Sequence, residues 1–183
     1  RNGTSTANVA AMINDIANDE ARCAHLRHLI AALACSGRCI LVLSDRVELT
    51  AKLASWAKED CSANAAIVVN AITGKTPKKE RPQLIATARV LLATTGIAKL
   101  GLDKPALDTV IFATPIAGKS VEQPIGRILR GVRGSHSPLV VDMVDCYSIF
   151  HHFASSRLQF YTRNGYRVQT CSAGESVDLL CAT

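Results

Sequence analysis

Short apolar runs alternate with amphipathic stretches along most of this chain. Continuous apolar runs, which predict strands buried on both faces, occupy residues 38–44, 65–72, 89–94, 108–114 and 137–145. Amphipathic segments, which favour helices, occupy residues 47–60, 77–88, 120–131 and 147–165. Strands that alternate with helices form a mainly parallel sheet that is covered by helices on both faces. The pattern therefore predicts a three-layer α/β fold.

The two ends of the chain depart from this alternation. Residues 8–35 favour helix, in two pieces, and residues 166–170 predict an added edge strand. The tail beyond Cys171 shows no strong period. We therefore expect a helical lead-in at residues 1–35, a domain at residues 36–170 and a loose tail at residues 171–183.

The composition fits one globular domain. The chain has 183 residues, 48% of them hydrophobic, yet no apolar run reaches the length of a membrane span. The chain begins at Arg1 without the charged-then-apolar layout of a signal peptide, and this start resembles a cut from a longer protein. A net charge of +6 suits a nucleic-acid partner.

The seven cysteines predict free thiols in a reducing, intracellular compartment. Their number is odd, and most of them lie inside apolar patterns, as Cys39, Cys61 and Cys146 do. Residues 23–28 read Cys-Ala-His-Leu-Arg-His, but no second pair of ligands follows at the spacing of a zinc site. We therefore expect no metal ligands in this chain.

Residues 74–76 read Gly-Lys-Thr, which looks like part of a nucleotide-binding P-loop. A P-loop needs a further glycine five positions before Gly74, and Val69 stands there; Pro77, which follows, has no N–H to donate. Residues 19–22 likewise look like the acidic box that holds Mg²⁺ in many ATPases, but they follow a helical pattern and not a buried strand. The chain therefore has neither half of a complete ATP site of its own.

Hydroxyl, glycine and cationic residues follow the predicted strands. The segments at these positions are Ser44-Asp45-Arg46, Thr73-Gly74-Lys75, Thr94-Thr95-Gly96, Thr114-Pro115 and Asp145. In parallel sheets, ligands bind beyond the carboxyl ends of the strands, and such residues suit a ligand rich in phosphate. Helix capping favours the same residue types, and Ser44 or Asp45 is expected to cap the helix at 47–60.

Two arginines lie three positions apart in the segment QPIGRILR at residues 123–130. Arg127 and Arg130 share one face of a predicted helix, which Ser120 would cap, and Gly126 would let that helix pack closely against a neighbour. Two guanidinium groups held in this way can clamp the charge that develops on a transferring phosphoryl group. An ordinary basic helix face remains the alternative.

The order of these segments resembles a known family. The stretch VLLATTGIAKLGLDKPALDTVIFATP, followed by QPIGRILR, resembles motifs V and VI of superfamily 2 helicases. RCILVLSDR is similar to the motif IV strand, and AITGKT to the segment after the next strand. The resemblance covers roughly residues 36–165 and points to the C-terminal RecA-like domain of such a helicase. The closing segment, residues 142–168, resembles the branch that includes XPB, UvsW and helicases of large DNA viruses such as the poxvirus transcript-release enzyme.

The resemblance implies which residues would act. Those of the nucleic-acid groove are Ser44, Arg46, Thr73, Gly74, Lys75, Thr94 and Thr95. Those bordering ATP are Gly101, Asp103, Gln123 and Gly126, and the catalytic residues are Arg127 and Arg130. In this isolated half, both arginines are expected to face solvent. Many members have arginine where this chain has Pro124, so one cation of the family pattern is missing.

The resemblance also implies cofactors and partners. ATP and Mg²⁺ would be required, and the Mg²⁺ ligands would come from a preceding RecA-like domain that is absent here. The partners would be DNA or RNA and that preceding domain, with no membrane. The isolated chain is expected to be inactive, and its compartment would be the cytoplasm or nucleus, or a virion or viral factory for a viral protein. The alternative is a non-catalytic RecA-like module that binds nucleic acid or protein.

Overall fold

A sheet of five strands forms the centre of the fold. The computed structural model describes residues 8–99, 102–130, 136–145 and 148–172. The strands are β1 (Ile40–Ser44), β2 (Val69–Ile72), β3 (Val90–Thr94), β4 (Thr109–Phe112) and β5 (Leu139–Asp142). The helices are α1 (Val9–Asn18), α2 (Glu20–Cys35), α3 (Val47–Asp60), α4 (Arg81–Thr87), α5 (Thr95–Lys99), α6 (Glu122–Arg130) and α7 (Ile149–Arg163).

The strands lie in the order β2-β3-β1-β4-β5, and every neighbouring pair is parallel. In the central strand β1, Ile40 pairs with Val90 on one side and with Thr109 on the other. All five residues of β1 are buried, as the continuous apolar run predicted. This register brings the carboxyl ends of β2, β3, β1 and β4 to one edge of the sheet.

Helices cover both faces of the sheet. Ile40 and Val42 of β1 pack in one core cluster with side chains of α2 and α3. Leu41 and Leu43, which point to the opposite face, pack in a second cluster with side chains of α5, α6 and α7. Successive side chains of a strand point to opposite faces, so β1 contributes to both cores. The predicted three-layer α/β fold is confirmed.

Helices α1 and α7 form a third apolar cluster beside these layers. Ile13 and Ile16 of α1 pack on Phe150 of α7, and the half-buried Met12 and Phe153 join them. Helix α1 is thereby attached to the domain by its apolar face, in agreement with its helical spacing of apolar residues.

The helix N-termini differ in part from the expected caps. The Arg22 N–H donates to Asp19 Oδ1 at 2.7 Å, so Asp19 caps α2. Arg46 precedes α3, and among the described residues no side chain caps that helix. The predicted cap by Ser44 or Asp45 is therefore wrong, because Ser44 Oγ accepts the Arg46 N–H at 3.0 Å instead.

Two further predictions about elements are wrong. Helix α6 begins at Glu122 after a single 3-10 turn, Gly118–Ser120, so Ser120 lies too early to cap it. Residues 166–170 form no strand. Instead, the Tyr166 N–H donates to the Tyr161 carbonyl at 3.0 Å, and its ring lies 6.1 Å from the ring of Phe160. Tyr166 thus packs back on the end of α7.

The cysteines in the described part of the chain are free thiols. Cys23, Cys39 and Cys61 are buried, whereas Cys35 and Cys171 are exposed. Cys146 and Cys181 lie outside the described residues. None of the helices within the described ranges has both the length and the hydropathy needed to cross a bilayer.

Candidate functional site

Three neighbouring strand ends carry the predicted groove residues. Ser44 and Thr94 are register partners at the ends of β1 and β3. Ile72 pairs with Ala93, which places Thr73, the next residue of the β2 segment, beside Thr94. Adjacent strands lie about 4.8 Å apart, so the three ends form a row roughly 10 Å wide. The structure therefore brings these predicted residues together along one edge of the sheet.

Asp45 connects three of the segments at this edge, although the sequence suggested it only as a possible cap of α3. Its carboxylate accepts a hydrogen bond from Thr95 Oγ1 at the start of α5. Its backbone N–H donates to Thr114 Oγ1, just after β4, at 2.9 Å. The signal for this role was the position of Asp45 directly after a buried strand, with hydroxyl residues after the neighbouring strands.

Arg46 is bonded to α1. Its Nη2 donates to the Ala10 carbonyl at 2.8 Å, and its Nε donates to Asn14 Oδ1. Its Nη1 donates to the Asp45 carbonyl at 3.0 Å. A nucleic-acid phosphate would have to compete with these contacts. Nothing in the sequence pattern pointed to Asn14 as a partner.

The turn at residues 73–76 is closed by its own hydrogen bonds. The Thr76 N–H donates to the Thr73 carbonyl at 3.0 Å, and the Thr73 N–H donates to Thr76 Oγ1 at 3.0 Å. The Lys75 N–H donates to Thr73 Oγ1 at 3.3 Å. These donors are already occupied, so the turn does not wrap around a phosphate as a P-loop does. It presents the exposed Lys75 side chain to solvent instead.

Arg127 of α6 is half-buried, which corrects the expectation that it faces solvent. Its guanidinium donates to the carbonyl of Ala98 in α5. Burial lowers the pKa of Arg127, but an arginine keeps its charge at neutral pH because its ordinary pKa lies far higher. The structure therefore holds a positive charge between α6 and the segment that follows β3.

Gly126 packs closely against nothing in the described residues, so the close approach of a neighbour at this glycine stays a prediction. A Cβ placed on Gly126 would meet no atom within 4 Å. Leu129, one turn further along α6, is 47% exposed. Among the described residues, nothing packs on α6 at Gly126, and the side chain of Leu129 next to it is partly exposed.

A cavity of about 210 Å³ lies where these segments meet. Its polar lining comes from Asp45, Thr95, Ser120 and Gln123. The rest of its wall comes from apolar residues of α1, β1, α5, the segment after β4, α6 and α7, such as Ile13 and Phe153. Pockets that enclose a drug-sized ligand measure roughly 300–1,000 Å³. The cavity is thus smaller than pockets that enclose a ligand of that size.

The remaining predicted residues are placed less fully. Asp103 is exposed in the connection between α5 and β4, next to the buried Leu102. Gly101 lies outside the described residues. Arg130 is the last residue of α6, and its side chain is outside the described part of the structure.

Comparison with known proteins gives a family match over more than half of the chain. The family described as "helicase conserved C-terminal domain" matches residues 21–132. The chain is 28% identical over 177 residues to the putative ATP-dependent RNA helicase L396 of Acanthamoeba polyphaga mimivirus, which covers 95% of this chain and 33% of that protein. It is also 28% identical over 161 residues to the probable helicase D10 of Escherichia phage T5, which covers 85% of this chain and 34% of that protein.

The chain spans about a third of the length of these two curated relatives. Among solved structures, that of T4 UvsW is similar with a TM-score of 0.69. The similarity covers 92% of this chain and 38% of that chain, at 16% sequence identity. At this identity the likeness concerns the fold alone.

Proposed function

This chain belongs to the helicase conserved C-terminal domain family, and from that membership we propose that it is the C-terminal half of an ATP-dependent superfamily 2 helicase or translocase. In this proposal the chain supplies arginine fingers and part of the nucleic-acid groove. A preceding RecA-like domain supplies the Walker lysine and the Mg²⁺ ligands. The two halves close around the nucleotide and reopen after hydrolysis.

One observation carries the proposal. Segments far apart in the sequence, after β1, after β3 and in α6, contribute Asp45, Thr95 and Gln123 to one small cavity. Helix α6, whose Gln123 lines that cavity, also carries Arg127 and is open beside Gly126. The cavity and the nearby Arg127 would form one half of a nucleotide site, and a second domain would complete that site. The observation supports a shared nucleotide site more than it supports a pocket of this chain alone.

The residues of this chain fit the phosphates of ATP by charge and by number of donors. A guanidinium has five N–H donors, so the contact of Arg127 with the Ala98 carbonyl leaves donors for phosphate oxygens. The chemistry that bound ATP supplies is phosphoryl transfer, in which negative charge spreads over the equatorial oxygens. Arg127 and Arg130 would stabilise that charge, and Gln123 would contact the same phosphates.

The nucleic acid, DNA or RNA, would lie along the row of strand ends. Thr73, Thr94 and Thr95, which also lines the cavity, would contribute polar groups to its backbone, and Lys75 would contribute a charge. Ser44 would not, because it is 1% exposed and its Oγ is hydrogen-bonded to the backbone of Arg46. Such contacts are independent of base sequence. Free thiols at the five described cysteines suit the reducing compartment that we propose for the protein.

The complete protein offers a direct test through Arg127→Ala. Hydrolysis of ATP should fall by about 10³-fold or more, because an inserted guanidinium contributes about 10³ to 10⁵ in rate. Arg127→Lys should restore little of the rate, since lysine lacks the planar fork. The measurement is phosphate release at saturating nucleic acid, corrected for the folded fraction.

Lys119→Ala is the matched control, because Lys119 is an exposed cation in the 3-10 turn that precedes α6. Its rate should equal that of the unmodified protein. Full hydrolysis by Arg127→Ala would overturn the arginine-finger role. A complete protein that binds nucleic acid but never hydrolyses ATP would favour the non-catalytic module.

A further inference from the structure

The connection between β4 and α6 determines where α6 lies. Nine residues, 113–121, lead from the end of β4 to the first residue of the helix. Within them, the Ser120 N–H donates to the Ala117 carbonyl at 2.8 Å, and the Ile125 N–H of α6 donates to the Val121 carbonyl at 3.1 Å. A shift of this connection would therefore move α6 and the arginines that it carries.

A buried arginine of α7 holds this connection. Arg157 is 1% exposed, and its Nη1 donates to the Ile116 carbonyl at 2.7 Å. Its Nε donates to Asp142 Oδ2, at the end of β5, also at 2.7 Å. Arg157 thus joins the β4–α6 connection to the sheet through one rigid guanidinium plane.

Tyr161 completes the same network. Its hydroxyl donates to Asp142 Oδ2 at 2.9 Å. Burial, and next the nearby Asp142 carboxylate, raise the pKa of Tyr161, so the hydroxyl keeps its proton and remains a donor. Tyr161 contacts the carboxylate but makes no hydrogen bond to the connection itself among those that the described residues show.

A second contact fixes the connection two residues after Ile116. A Cβ placed on Gly118 would lie 2.9 Å from Ser156 Cβ and 3.0 Å from the Ser156 carbonyl carbon. Distances below 3.0 Å between such atoms are not tolerated, so glycine is required for α7 to approach this closely. Ser156 precedes Arg157, which means that one turn of α7 holds the connection at two adjacent points.

Stability alone gives a poor account of the buried Arg157. Removing a guanidinium and a carboxylate from water is costly, and apolar residues of similar volume often stabilise a fold as well or better. The network is also incomplete, because Asp142 Oδ1 is buried without a hydrogen-bond partner among the described residues. What an arginine adds over an apolar residue is a fixed distance to two acceptors on different elements.

We propose that Arg157 is a positioning residue for the arginine fingers of α6. By binding the Ile116 carbonyl and the Asp142 carboxylate together, Arg157 fixes the β4–α6 connection relative to the sheet. Arg127, which also contacts α5, is thereby held where the nucleotide phosphates would arrive. This inference rests on the proposed function and deepens it, since Arg157 itself touches neither nucleotide nor nucleic acid.

The test measures kcat and KM for ATP in the complete protein, per folded molecule and well below each melting temperature. Arg157→Met should lower kcat about 10- to 100-fold, because a displacement of the order of 1 Å can cost 10²-fold in rate. KM for ATP should stay unchanged, as expected for an interaction that matters in the transition state only. Arg157→Lys keeps the charge, and its kcat should lie between that of Arg157→Met and that of the unmodified protein.

Tyr161→Phe is the matched control, because it removes a hydrogen bond from the same buried network and leaves the hydrogen bonds from Arg157 to Asp142 and to the Ile116 carbonyl. Its melting temperature should fall while its kcat does not. Should Arg157→Met fail to fold, Arg157→Lys and Gly118→Ala, which forces α7 away from the connection, give the same comparison. An unchanged kcat in the folded Arg157 variants overturns the positioning role. An equal loss of kcat in Arg157→Lys and Tyr161→Phe also overturns the positioning role, since the activity would then follow the stability of the fold.

Arg127→Ala in the same assay separates the two proposals. If Arg127→Ala hydrolyses ATP normally, the arginine-finger role in the proposed function fails. If Arg127→Ala is inactive while Arg157→Met keeps its kcat, the positioning role alone fails.

A second readout needs only the 183-residue chain. In Arg157→Lys, the Ser120 amide should exchange with solvent faster than in the unmodified chain, whereas the amides of β1 should exchange at the same rate. Equal exchange at Ser120 in the two chains contradicts the proposal without reference to ATP.

Discussion

Lys75 stands at the tip of a turn whose neighbouring donors are bonded within the turn. If its ammonium contacts a nucleic-acid phosphate, Lys75→Ala removes one counterion-releasing contact. The plot of log affinity against log salt should then become less steep by about 0.7 to 0.9, with all base sequences weakened alike. Fluorescence anisotropy with short oligonucleotides of several sequences, over a series of salt concentrations, measures the slope.

Lys58→Ala is the control for this measurement. Lys58 is an exposed cation near the end of α3, which starts after β1 and leads away from the strand ends. Its removal lowers the net charge equally but should leave the slope unchanged. If both variants change the slope to the same extent, the effect comes from overall charge, and Lys75 has no specific contact.

His25 of α2 should make the stability of the fold depend on pH. Burial, and then the charges of His28 and Arg22, lower the pKa of His25 from its ordinary value of 6.5. The unfolded chain therefore binds a proton at this position more readily than the folded chain does. As the pH falls through 6.5 towards the lowered pKa, the free energy of unfolding should decrease.

Urea unfolding at pH 7.5 and pH 5.5 checks this expectation. His25→Gln should reduce the difference in unfolding free energy between the two pH values. His151→Gln, at an exposed position of α7, should leave the difference as it is. An undiminished difference in His25→Gln would show that other groups cause the pH dependence.

At the scale of elements, α2 is part of the core that holds the sheet. Leu33 is fully buried in the same cluster as Ile40 and Val42 of β1. Leu33→Ala should lower the free energy of unfolding by about 2–5 kcal/mol, from lost burial and the cavity that remains. Urea denaturation measures the change. Leu129→Ala, the same substitution at an exposed site of α6, is the control, and its free energy of unfolding should lie within about 0.5 kcal/mol of that of the unmodified chain.

The Leu33 result also bears on the domain division. The boundary at residue 35 between a lead-in and a domain stays a prediction. A large loss in Leu33→Ala means that removal of residues 1–35 would expose one face of the sheet. A loss comparable with that of Leu129→Ala would mean that α2 is a dispensable addition.

Strong periodicity made most elements predictable. The segment at residues 47–60 alternates with helical spacing over four turns, and α3 occupies Val47–Asp60. Helix α5 was not predicted, because Thr95–Lys99 is short and contains Gly96. The apolar and aromatic residues at 166–170 suggested a strand, but Gly165, with φ at +70°, turns the chain so that Tyr166 packs on α7.

The site was predictable as far as topology fixes it. Parallel strands bring their carboxyl ends together, so the meeting of Ser44, Thr73 and Thr94 follows from the order of elements. The hydrogen-bond partners of the individual arginines cannot be predicted from the order of elements, because they depend on which helix packs beside each strand end. The bonds from Arg46 to α1 and from Arg127 to Ala98, as well as the buried Arg157, are tertiary contacts without a local sequence signal.

At the scale of the whole molecule, this chain should not hydrolyse ATP by itself. Its cavity of about 210 Å³ is smaller than a pocket that encloses a whole ligand, and phosphoryl transfer needs a lysine cradle and Mg²⁺ ligands that we propose come from another domain. Phosphate release by the purified 183-residue chain, with and without nucleic acid, should equal the buffer blank. Turnover stimulated by nucleic acid and abolished by Arg127→Ala would contradict the two-domain proposal.

The sheet order also has a consequence for how the chain is made. The central strand β1 is synthesised first of the five, but its neighbours β3 and β4 begin only at Val90 and Thr109. At about 5–20 residues per second, a ribosome leaves β1 without its second partner for on the order of ten seconds. Until β3 is made, this strand, whose first four residues are apolar, exposes two unpaired edges, and until β4 is made it still exposes one; unpaired edges are templates for aggregation. A translation product that stops before β4 would therefore depend on chaperones, whereas one that passes Phe112 can enclose its central strand.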